Sequence, residues 1–156
     1  MNNIKSPNIL FIMTDQQSAA MMSCAGNEYV NTPAMARLAQ TGMRFERAYC
    51  TNPICVPSRF SLMTGLMPNV INLRNNDCSE ITSVDHITAQ GIGHLFKTAG
   101  YEAVYGGKEH LPGMNSANLG FDYISSDGRD KLAEVCAGYI REYDRDKPFF
   151  MVSSFD

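Results

Sequence analysis

The chain has 156 residues, 44% of them hydrophobic and 19% charged, with a formal net charge of −3. That length suffices for one domain with a real core, and without a basic run or stripe there is no footing for a nucleic-acid partner. The five cysteines (Cys24, Cys50, Cys55, Cys78 and Cys136) are odd in number and form no C-x-x-C pair, which argues against a disulfide framework or a zinc ribbon.

Residues 8–13 form a continuous apolar run, expected to be a strand buried on both faces. The run is too short to span a bilayer and lacks a signal-peptide cleavage pattern, so a cytoplasmic protein with no membrane partner is expected. Thr14-Asp15-Gln16-Gln17 follows at the strand's carboxyl end, where open α/β sheets bind ligands. An acid and two amides there suit either a hard cation held through oxygens or a plain turn with a helix cap. Thr32 and Pro33 read as the N-cap and first residue of a helix, with Met35, Leu38, Ala39 and Gly42 on one stripe and Gly42 as its stop. Residues 43–51 look extended, with Phe45, Ala48 and Tyr49 available for burial.

Cys55-Val56-Pro57-Ser58-Arg59 then opens a short helix ending at Gly65. Pro57 suits the first helical position, which places Cys55 at a helix N-terminus, where free N–H groups and the dipole favour an anion. Arg59, four residues on, can point to the same spot. Residues 69–86 are polar and aperiodic, the pattern of a surface loop. Residues 88–99 read as a helix stopped by Gly100, and residues 101–105 as a strand. Gly106-Gly107-Lys108-Glu109-His110 is a second polar cluster at a strand's carboxyl end, with a Gly pair that lets backbone approach a ligand closely. Residues 111–126 read as loop. Residues 129–145 give the strongest helical pattern, with Leu132, Val135, Cys136, Tyr139, Ile140 and Tyr143 on one stripe, and residues 149–154 read as another buried strand. Helices alternating with apolar strands predict an α/β domain with a largely parallel sheet flanked by helices.

Four clusters in fixed order resemble the sulfatase family of the alkaline-phosphatase-like fold. Residues 7–16 look like its first strand and metal-binding start, and Cys55-Val56-Pro57-Ser58-Arg59 with Thr64-Gly65 matches the C-x-P-S-R signature. Residues 106–110 resemble its G-K-x-H element, while Gly120-Phe121-Asp122 and the run from Lys147 to Asp156 match later landmarks. The resemblance implies that Cys55 is oxidised to formylglycine by a sulfatase-maturation enzyme that reads the signature. The hydrated aldehyde is then the nucleophile on a sulfate ester, either a small molecule or a sulfated glycan. By the same resemblance Arg59 steadies the diol, and Lys108 and His110 contact the sulfate or assist the leaving oxygen. Asp15, Gln16 and the modified Cys55 would hold one divalent cation, calcium.

The chain departs from the family pattern at Gln16, where many relatives have a second acid, at Asn69, where a histidine is common, and at Glu109, often aromatic. It is also short for the family. The expectation is therefore the N-terminal portion of a single catalytic domain over residues 1–156, with an incomplete sheet, weak calcium binding and little activity in isolation. Two alternatives stand beside it. One is a phosphonate or phosphate-ester hydrolase of the same superfamily. The other is a non-catalytic domain that self-associates as a homo-oligomer through its unfinished sheet.

Overall fold

The computed structural model describes residues 6–81 and 84–156, the side chain of His86 excepted. The chain forms two compact units. One comprises the chain up to Asp15 together with Thr51–Asp156; the other is Gln16–Cys50.

The first unit is built on four parallel strands: β1 (Ile9–Thr14), β2 (Glu102–Gly107), β3 (Asp122–Ser125) and β4 (Phe149–Phe155). Their order across the sheet is β1-β4-β2-β3. β4 sits between β1 and β2, with Ile9 opposite Phe150 on one side and Glu102 opposite Phe149 on the other. A strand with neighbours on both sides and helices over both faces has no solvent side, and Phe149–Ser154 is accordingly buried throughout. Together with its flanking helices, the sheet is the parallel α/β architecture that the alternation of elements predicts.

Helices cover both faces. α2 (Cys55–Thr64) and α4 (Ile92–Thr98) lie over one face, where Met63, Ile92 and Phe96 pack against Ala103, Tyr105, Phe150 and Val152. The Phe96 and Phe150 rings stack with centroids 3.9 Å apart. α5 (Leu132–Glu142) covers the other face, with Leu132 and Cys136 against Val104, Phe149 and Met151. Cys136 is thus a core residue on the expected stripe, its sulfur 3.1 Å from the Ser153 hydroxyl.

Several expectations change. β1 is not buried on both faces. Ile9, Phe11 and Met13 pack into the α2/α4 side, whereas Leu10 and Ile12 are 45% and 53% exposed. Their face is the one α5 covers, and α5 packs against β4, β2 and β3. Residues 69–86 are only partly a surface loop. Pro68–Ile71 forms a 3-10 turn, α3 (Asp85–Thr88) is a single helical turn, and Ile71, Leu73, Val84 and Ile87 join Val56 and Phe60 of α2 in a buried cluster. Ile71, Leu73 and Val84, scattered among polar residues, show no period, so the segment reads as polar. Thr82 and Ser83 of that segment lie outside the described residues. β3 falls inside the expected loop 111–126; it is four residues long, and Asp122 and Tyr123 are exposed, too brief and polar for a strand signature.

In the second unit, α1 (Pro33–Thr41) begins at the expected proline and ends before Gly42. Thr32, however, does not cap it through its side chain. The Thr32 hydroxyl instead accepts a bond from the Ser23 N–H at 2.9 Å. No residue of α1 is buried, and Leu38 is 64% exposed. Residues 43–51 form no strand, and Phe45 and Tyr49 are exposed rather than buried. Among the described residues no helix is long and apolar enough to cross a membrane.

Candidate active site

Parallel strands deliver all their carboxyl ends to one edge of the sheet. Because β1, β4 and β2 are neighbours, Asp15, Asp156 and Lys108 emerge side by side just past their strands. Backbone bonds continue the ladder to these residues: the Asp15 N–H donates to the Phe155 carbonyl at 3.0 Å, and the Lys108 N–H to the Ser154 carbonyl at 2.9 Å.

Arg59 ties α2 to this edge. It is 3% exposed, so every N–H it cannot share with water needs a protein acceptor. One terminal nitrogen donates to the Ser154 hydroxyl at 2.7 Å and the Lys108 carbonyl at 2.9 Å; the other donates to Asp15 Oδ1 at 3.1 Å. Lys108 Nζ donates to Asp15 Oδ2 at 2.8 Å and to Asp156 Oδ1 at 2.6 Å. Arg129 then holds the other Asp156 oxygen through Nε and Nη2, at 3.2 and 2.8 Å. Burial pushes the Asp15 carboxyl up, but the bonds and charges of Lys108 and Arg59 outweigh it and hold the group below the usual carboxylate value. The bonds to Asp15 and then Asp156 push Lys108 up, and Lys108 followed by Arg129 holds Asp156 down.

Packing requires both residues of the Gly106-Gly107 pair to lack a side chain. Gly107 has φ of +92°, and a Cβ there would lie 2.1 Å from the Ser154 carbonyl oxygen and 2.7 Å from Leu132. Only glycine lets β2 turn against β4 at this point. Tyr105 and Tyr123 fix the same corner, donating to the Lys108 and Gly107 carbonyls at 2.7 and 2.8 Å.

Cys55 is the first residue of α2, half-buried and with a free thiol. The helix thus starts two residues earlier than Pro57 suggested. This alters the anion argument, since the Val56 N–H already donates to Asn76 Oδ1 at 3.0 Å and Pro57 has none. Of these three residues only the Cys55 N–H can remain for an anion, and the positive charge facing this edge comes from side chains. Cys55 and Arg59, four apart on α2, share a helix face. His110 is exposed with φ of +47°, and no hydrogen bond joins it to the Asp15–Lys108 network among the described residues. Gln16 belongs to the second unit and has φ of +50°. Glu109 turns inward and accepts a bond from the Ser116 N–H.

The residues gathered here do not suit a hard divalent cation by themselves. Calcium takes six to eight oxygens, yet both Asp15 oxygens and both Asp156 oxygens already accept bonds from cationic side chains. Among the described residues no three His, Cys, Asp or Glu side chains cluster as ligands would. The arrangement is instead suited to an oxyanion, since three cationic side chains face two carboxylates and leave an excess of one positive charge.

Ser154, Asp156, Arg129, Tyr105 and Tyr123 were not singled out from the sequence. For Ser154 and Asp156 the signal existed: they end an apolar strand, as Asp15 does. Arg129 lay in a polar stretch with no such marker.

Comparison with known proteins gives a consistent result. The Sulfatase family model matches residues 7–156. A sulfatase of Escherichia coli K12, YidJ, is 37% identical over 117 residues, covering 75% of this chain and 22% of its own length. N-acetylglucosamine-6-O-sulfatase of Bacteroides thetaiotaomicron is 29% identical across 95% of this chain and 30% of its own. Among solved structures, BT4656 in complex with D-glucosamine-2-N,6-O-disulfate superposes with a TM-score of 0.77 at 27% identity, covering 97% of this chain and 34% of that one. The chain therefore spans about a fifth to a third of these relatives' lengths.

Proposed function

Since the chain belongs to the sulfatase family, we propose that it carries the nucleophile side of a site that hydrolyses sulfate esters, with Cys55 converted to formylglycine. The observation that carries this proposal is the buried Arg59 guanidinium, which joins the helix begun by Cys55 to Asp15, Ser154 and the Lys108 carbonyl. The relatives are much longer, so the activity is proposed for the protein as a whole. Formylglycine supplies, as its hydrate, one hydroxyl to attack sulfur and a second whose collapse releases sulfate.

The chain's own side chains have distinct tasks. Arg59, held by three bonds, keeps a fixed positive charge behind the start of α2 and orients Asp15. Lys108 has three N–H donors and spends two on Asp15 and Asp156, leaving the third for a sulfate oxygen. As charge builds on the sulfate oxygens, that preorganised ammonium stabilises it. His110, exposed two residues beyond Lys108, is the group we assign to protonate the leaving alcohol oxygen. No step is assigned to calcium, because the donors gathered by the described residues do not fit it. A sulfated sugar is the substrate class supported by the names of the relatives, and a maturation enzyme acting on Cys55-Val56-Pro57-Ser58-Arg59 is the partner this chemistry requires.

The test is release of inorganic sulfate from an aryl sulfate by protein co-expressed with a maturation enzyme, beside Cys55→Ala. Release that disappears in Cys55→Ala is expected; release that persists in it would refute the proposal.

A further inference from the structure

We propose that Asp156, anchored by Arg129, is the positioning residue that aims the Lys108 ammonium at the substrate oxyanion; this rests on the function proposed above. Five charged groups alternate in sign along one line: Arg129, Asp156, Lys108, Asp15 and Arg59. One end, Arg59, is buried, and its direction is fixed by protein acceptors. The other end, the Arg129 side chain, is 71% exposed.

The geometry gives Asp156 a task that Asp15 alone cannot perform. A lysine ammonium on a four-carbon stem with one carboxylate partner still swings about that contact. A second carboxylate, 2.6 Å away on the neighbouring strand, uses a second N–H. With two of three tetrahedral donors taken, the third can point only away from both carboxylates. The Lys108 side chain is 23% exposed, so a ligand can reach part of it.

Asp156 is itself held in place. Its N–H donates to the Gly128 carbonyl at 2.8 Å, while both Arg129 donors take the oxygen that Lys108 leaves. The turn carrying Arg129 is shaped in turn by Asp127 Oδ1, which accepts from the Arg129 and Asp130 N–H groups at 2.9 and 3.0 Å. Arg129 also gives the five groups an excess of one positive charge, which suits an anionic ligand.

The experiment follows the Lys108 ammonium by nitrogen NMR while inorganic sulfate is added, in the wild type, Asp156→Ala, Asp156→Glu and Arg129→Gln. Amide spectra and unfolding curves report whether each variant is folded. In the wild type the ammonium signal should be sharp, coupled to both carboxylates, and shifted saturably by sulfate. Asp156→Ala should broaden that signal and weaken the sulfate response at least threefold, although it removes a negative charge. Arg129→Gln should do so in part, and Asp156→Glu should restore a sharp signal. If Asp156→Ala does not fold, Arg129→Gln and Asp156→Glu still decide the matter. A sharp ammonium signal in Asp156→Ala or, if that variant is unfolded, in Arg129→Gln, with sulfate affinity equal to or above the wild type, would overturn the proposal. Sulfate-ester turnover is scored separately: a wild type that releases no sulfate defeats the proposed function, while the ammonium spectra still judge the role of Asp156.

Discussion

Arg59 and Lys108 hold opposite oxygens of one carboxylate, Asp15, at 3.1 and 2.8 Å. The two cations come from a helix on one face and from the end of β2, on the far side of β4, so Asp15 is the joint between α2 and the sheet. Removing one partner of such a buried group leaves the others uncompensated. Arg59→Ala would remove a donor from the Ser154 hydroxyl and from one Asp15 oxygen, and leave the Lys108 carbonyl with Tyr105 alone. The expected loss of unfolding free energy in denaturant titration is about 3–5 kcal/mol. Arg59→Lys should recover little of it, since an ammonium cannot span the same three acceptors from one planar fork.

The same joint sets an acid limit. Asp15 and Asp156 are both held below the usual carboxylate value of 3.8. A carboxyl whose folded value is depressed contributes stability that is fully present above its unfolded value and lost as pH falls through the folded one. Thermal unfolding followed from pH 5 down to about pH 2 should therefore show a falling midpoint, steepest below about pH 4. Asp15→Asn should flatten that slope while lowering the midpoint at neutral pH.

An alkaline limit lies at the opposite end of the strands. Burial first, then the charge of Glu102, pushes the Tyr139 hydroxyl from 10.0 up to about 12. A raised folded value means that the stability is present below pH 10 and is lost as pH climbs through about 12. Tyr139→Phe, which cannot ionise, should lose less stability over that range. The wild-type unfolding midpoint should fall relative to that of Tyr139→Phe as the phenolate absorbance of Tyr139 appears.

Gly107→Ala tests the packing role of the Gly pair. The substitution would place a methyl 2.1 Å from the Ser154 carbonyl oxygen in a backbone of positive φ. A destabilisation of roughly 3 kcal/mol is expected by chemical denaturation. Gly138→Ala is the control, since open space surrounds its Cβ position in the middle of α5.

Much of this was legible from residue order. The apolar runs at 8–13 and 149–154 announced β1 and β4, and the stripe from Leu132 to Tyr143 announced α5. The positions of Asp15 and Lys108 at strand ends were readable because each follows an apolar strand. What sequence could not convey was lateral order. That β4 inserts between β1 and β2 is a long-range fact, and it alone brings Asp156 to Lys108 and Ser154 to Arg59. Cys55 does open α2, as expected, but Asn76, from a segment without period, takes the Val56 N–H. The expected exposure of residues 69–86 failed for a related reason: burial of Ile71 and Leu73 depends on α2 beneath them, not on their neighbours in sequence.

The central claim is that residue 55 acts after its sulfur has been removed. It is tested most directly by preparing protein matured to different extents, then measuring by mass spectrometry the fraction of the Cys55 peptide present as aldehyde beside the rate of sulfate release. Release proportional to the aldehyde fraction, and absent where the thiol is intact, is the predicted result. Sulfate release by protein whose residue 55 is entirely thiol would contradict it.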